Sequence, residues 1–105
     1  MIDKEKITKL IENKKYVEVI FEFHEDFLFN LKKVLELYKI EYKDDITLIE
    51  CISLIDVFVP LGESITHVPM TTIYNESREI ESRANFALQW YDRWMENVSS
   101  LKKLT

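Results

Sequence analysis

Apolar positions recur at alternating steps of three and four along most of this chain, the signature of helices that bury one face. Between residues 16 and 38 the series Val17, Ile20, His24, Phe27, Leu31, Val34 and Tyr38 falls on a single stripe when each residue turns a helix by about 100°. Tyr16, Phe21, Phe23, Leu28 and Leu35 broaden that stripe, and Val19 and Leu37 sit at its edge. A face this wide predicts a central helix with more than one neighbour. Phe29 points nearly opposite and marks a second contact surface. Before this helix, Ile7, Leu10 and Ile11 give a short helix a narrow apolar edge, with Asp3 as its N-cap and an end near Asn13.

The next segment carries its own start signal. Thr47 and Glu50 have the spacing of a capping box, and Ile46 and Cys51 that of a hydrophobic staple. The helix they open reads CISLIDVFV and stops at Pro60 and Gly62. Only Glu50, Ser53 and Asp56 are polar on it, so it is either buried on most sides or shared with a second subunit. Residues 60–72, between Pro60 and Pro69, are expected as a loop. A last helix is expected from about Thr72 to Leu101. Its seam runs through Ile73, Ser77, Ile80, Ala84, Ala87, Tyr91, Trp94, Val98 and Leu101. The pattern predicts an all-α fold, a four-helix up-and-down bundle, as a single domain over residues 1–105.

Composition agrees and narrows the function. One glycine and two prolines in 105 residues argue against a turn-rich β protein. The net charge of −5 does not support RNA or DNA as a partner, and it disfavours anionic membranes. No apolar run is long enough to span a bilayer. The opening MIDKEKITKL lacks the apolar centre of a signal peptide, so a cytoplasmic protein is expected. Cys51 is alone and no Cys/His cluster is present, which leaves no expected disulfide, metal or cofactor.

The candidate chemistry thins out once it is placed on helices. In EFHED (residues 22–26), His24 lies in the apolar stripe while Glu22, Glu25 and Asp26 project from other faces. His24 is therefore expected as a hydrogen-bonded core or interface histidine. Cys51, among Ile49, Ile52 and Leu54, describes an inert buried thiol. His67 has hydroxyls near it in Thr66, Thr71 and Thr72, but no nucleophile and base to work with. Arg78 and Arg93 face water. Arg83 flanks the seam beside Trp90 and stands four residues after Glu79, so an ion pair is expected there. Tyr91 and Trp94 are expected to be packed, not exposed as stacking platforms. Trp90 and Phe86 lie off-centre. With Arg83 and Phe29 they are the candidate binding residues.

The stretch KKYVEVIFEFHEDFLFNLKKVLELYKIEY, followed by DDITLIECISLI, resembles the central helices of HEPN-domain proteins. In those proteins a long helix entered by a small motif ending in Tyr is followed by a short polar link and a T-L-x-x-x-I helix. IYNESREIESRANFALQWYDRWMENV is similar to the final HEPN helix, and the resemblance covers about residues 10–100. It implies a helical dimer, an RNA-binding accessory or the partner of a nucleotidyltransferase. The R-x4–6-H motif that HEPN ribonucleases use is missing, because no histidine follows Arg78, Arg83 or Arg93. The expectation is a non-catalytic interaction or regulatory module, a homodimer that also meets a protein partner. Two other classes are weighed against it. One is a HEPN-type ribonuclease with an atypical site built from His67 and Arg78. The other is a small acidic immunity or anti-defence protein.

Overall fold

A computed structural model describes residues 2–103, with side chains through Leu101. Every regular element among the described residues is helical. The order is α1 (Lys4–Glu12), α2 (Tyr16–Leu37), α3 (Leu48–Phe58), α4 (Glu63–Val68) with a π-helical turn at Pro69–Ile73, and α5 (Ile80–Lys103). Five helices thus stand where four were expected, because most of the predicted loop at 60–72 is helical. None of them is long and apolar enough to cross a membrane, among the described residues.

Local chemistry sets the helix ends. Asp3 accepts from the backbone N–H groups of Glu5 and Lys6 and starts α1. Thr47 and Glu50 close the expected capping box at α3, with Glu50 N–H donating to the Thr47 hydroxyl oxygen at 3.2 Å. Helices α1 and α2 end in matching fashion. Lys14 and Lys39 adopt φ of 58°, and the next N–H reaches back to Leu10 and Leu35 respectively. This is the Schellman closure, in which glycine is the usual occupant.

Helix α5 packs mainly along α2, and α3 covers another side of α2. The core is aromatic at its centre: Phe27 and Trp94 meet in a tilted contact with 4.4 Å between ring centroids, and Phe23 meets Tyr91 edge-on at 5.6 Å. The seam of α5 from Ala84 to Leu101 is buried as its spacing predicts. Ile73 and Ser77, expected on the same helix, are not part of it. Asn75 accepts from both the N–H and the hydroxyl of Ser77, an Asx turn that competes with helix and delays its start to Ile80.

On α2 the buried stripe lies to one side of the expected one. Val19, expected at the edge, is fully buried, whereas Val17 and Phe21 are 72% and 62% exposed. The expected polar face holds a buried Asp26, tied to Asn30, whose amide donates to the Asp26 carbonyl at 2.9 Å.

Pro69 explains the π turn. It has no N–H to give to the carbonyl four residues back, and the chain widens so that Tyr74 N–H reaches the Pro69 carbonyl at 2.9 Å. The Ile65 carbonyl that Pro69 cannot serve receives the indole N–H of Trp94 at 3.1 Å. Helix α4 is held to α3 by a short hydrogen bond from the buried Thr66 hydroxyl to the Asp56 carboxylate.

Candidate functional site

Two exposed apolar surfaces and one groove stand out from this frame. The first surface belongs to α3, whose inner side buries Leu48, Cys51, Ile52 and Ile55. Its outer side is apolar as well. Leu54, Val57 and Phe58 share an outward sector at helical spacing. Val57 is 72% and Phe58 63% exposed. Leu61 follows the helix end at 70% exposure, in the left-handed region with φ of 62°. Ile49 is exposed at the other end of the helix.

The second surface is the N-terminal half of α2. At 1.5 Å per residue α2 is roughly 33 Å long and α3 roughly 16 Å. The shorter helix covers the wide apolar stripe only over its C-terminal half, where Leu31 and Leu35 are buried. Towards the N-terminus Val17, Ile20 and Phe21 instead wall a groove of about 440 Å³. Ile80 and Arg83, in the first turn of α5, form the facing wall, and Tyr74, His24 and Glu25 complete the lining.

Arg83, Tyr74 and His24 bring polar groups to the lining of that groove. Arg83 Nε–H donates to the Ile73 carbonyl oxygen at 2.7 Å, capping the end of the π turn. The Glu79–Arg83 pair expected from helical spacing is not among the ion pairs of the described residues, which include Lys4–Asp92 and Lys6–Glu22. The Tyr74 hydroxyl is buried and has no hydrogen-bond partner, an arrangement that costs about 1–3 kcal/mol. Burial pushes its phenol well above the ordinary range, and the Arg83 charge offsets part of that rise. His24 is half-buried, its ring edge-on to Tyr74 at 6.1 Å. It makes no hydrogen bond among the described residues; of the core and interface positions expected for it, the structure places it at the surface, in the groove lining.

The other candidates are dispersed. Trp90, expected at a margin, is 7% exposed and packs on Phe27 and Trp94. Phe86 lies half-buried beside it in a shallow depression with Gln89 and Arg93. Phe29 is exposed, as expected, with the Lys33 ammonium 4.7 Å above its ring. It borders an acidic hollow between α1 and α2 that contains Asp3, Glu22, Glu25 and Asp26. Among the described residues no three His, Cys, Asp or Glu side chains are grouped to hold a metal. His67 and Arg78 are both exposed. The His67 carbonyl accepts from Thr71 and the Arg78 N–H donates to the Asn75 carbonyl, and no hydrogen bond joins the two side chains among the described residues. Cys51 is buried, and that burial raises its thiol pKa.

No family model, curated protein or solved structure matches this chain. The site must therefore be judged from its own geometry.

Sequence reasoning missed Val17, Phe21, Tyr74 and Ile80 as site residues. The first two read as core because their spacing fits the stripe. The signal available was length: an apolar face spanning the whole of a 22-residue helix against an 11-residue neighbour.

Proposed function

We propose that the protein is a single-domain, non-catalytic helical interaction module that self-associates through the outward face of α3 and the turn after it. The observation that carries this reading is Leu61. A left-handed backbone costs a branched L-residue about 1–2 kcal/mol, and a side chain 70% exposed recovers little of that by burial within its own chain. Asn or Gly would close the same turn more cheaply. Lys14 and Lys39 are exposed at positive φ as well, but water solvates their charged ends. The apolar Leu61 side chain has no such compensation, and a contact outside the fold supplies one. Val57 and Phe58, with the half-buried Leu54 beside them, extend that contact into a stripe, and contiguous exposed apolar surface marks interaction sites.

The same reading takes α2, α3 and α5 as a HEPN-like scaffold that lacks the ribonuclease motif. The lack of any histidine after Arg78, Arg83 or Arg93 favours the interaction role over the atypical nuclease. Sedimentation equilibrium tests it: the wild-type chain should populate a dimer at micromolar concentration. Phe58→Glu, which places a charge in the stripe, should leave a folded monomer. A wild-type chain that stays monomeric at several hundred micromolar would end this proposal.

A further inference from the structure

The groove between α2 and α5 carries donors that its own lining leaves unused. Arg83 engages the Ile73 carbonyl through Nε, and its two terminal amino groups bond to nothing among the described residues. The Tyr74 hydroxyl is unpartnered, and His24 contacts Tyr74 only through its ring. Glu25 is the single carboxylate of the lining, and it is exposed.

The geometry points to a binding site for a small monocarboxylate with an apolar body. Its carboxylate would sit against Arg83 and Tyr74, and its tail along Val17, Ile20 and Phe21. A carboxylate is the acceptor-only group that guanidinium and phenol donors complement. Arg83 is the one permanent cation of the lining and the exposed Glu25 offsets part of its charge, so a monoanion suits it better than a dianionic phosphate. A volume of about 440 Å³ is within the range of small-molecule pockets, which are commonly apolar with a few convergent polar groups. The Tyr74 hydroxyl is screened from solvent, so the carboxylate reaches it only when a side chain of the groove lining moves. This site is separate from the α3 stripe, and its occupancy does not depend on self-association.

Calorimetric titration of the full chain with sodium octanoate tests the assignment, with octan-1-ol and octylammonium as controls carrying the same tail. Octanoate should bind at one site, about tenfold or more tighter than either control, as charge-assisted hydrogen bonds require. Arg83 also anchors Ile73, so the decisive variants leave that bond alone. Phe21→Glu, at an exposed position, should abolish binding, and Tyr74→Phe should weaken it about tenfold. No octanoate binding at millimolar concentration would overturn the assignment. So would equal affinity for acid and alcohol, or undiminished binding by Phe21→Glu.

Discussion

The indole N–H of Trp94 donates to the Ile65 carbonyl at 3.1 Å in the buried core, filling the vacancy that Pro69 leaves in its own helix. Proline lacks the donor that would reach that carbonyl from four residues on. The π turn, the tryptophan and the proline are therefore one arrangement, and it fixes α4 against α5. The segment 73–83 that walls the groove hangs from the same point.

A double-mutant cycle checks this coupling. Trp94→Phe in the wild-type background should lose about 2–4 kcal/mol, combining an orphaned carbonyl with a smaller ring. In a Pro69→Ala background the new N–H can take the Ile65 carbonyl, so the same substitution should cost about 1–2 kcal/mol less. Denaturant unfolding of the four proteins reads the difference. Costs that agree within about 0.5 kcal/mol would show the two residues to be independent.

Gly62 is required for space and not for its backbone angle, which is helical with φ of −56°. A Cβ there would stand 2.3 Å from the Ile55 carbonyl oxygen and 2.7 Å from its Cγ2. The backbone oxygen cannot move aside without shifting α3. Gly62→Ala should lose about 2–3 kcal/mol, at the upper end of overpacking costs, and thermal melts would show it.

These cases indicate what could be known from the chain alone. The caps at Asp3 and Thr47 and the α5 seam from Ala84 to Leu101 depend on local spacing, and the structure has them where the sequence places them. Helix α4 was missed because two prolines and a glycine usually mean a loop. Here Pro69 is tolerated because Trp94, 25 residues later, supplies a donor. The groove was missed for a related reason: periodicity gives the width of an apolar face but not the length of the neighbour that covers it. Arg83 alone of the candidate binding residues lies in that groove, and Trp90 turned inward because its neighbour Phe27 is central to the core.

Alkaline pH gives a further check. Burial raises the Tyr91 phenol to about 12; the Ile2 N–H draws it down and the Asp26 carboxylate adds to the rise. Burial raises Tyr74 as well. Both groups are raised above their unfolded value near 10, so the folded chain keeps protons that the unfolded chain releases. Their stabilisation is complete below about pH 10 and is lost as pH climbs through the folded values. Thermal stability should therefore fall from about pH 10 towards 12, with tyrosinate absorbance lagging until the chain unfolds. A melting temperature that rises over this interval would contradict the sign.

The central claim is that the stripe ending at Leu61 serves association and not folding, and one paired measurement decides it. Leu61→Gly relieves a left-handed backbone and should raise stability by about 0.5–1 kcal/mol, net of the greater unfolded-state entropy of glycine. Lys39→Gly, at φ of 58°, should do the same and acts as the control. Sedimentation equilibrium on both should find Lys39→Gly dimerising like the wild type and Leu61→Gly weakened about tenfold or more, the loss of one buried leucine contact. Identical association constants for the three proteins would contradict the account.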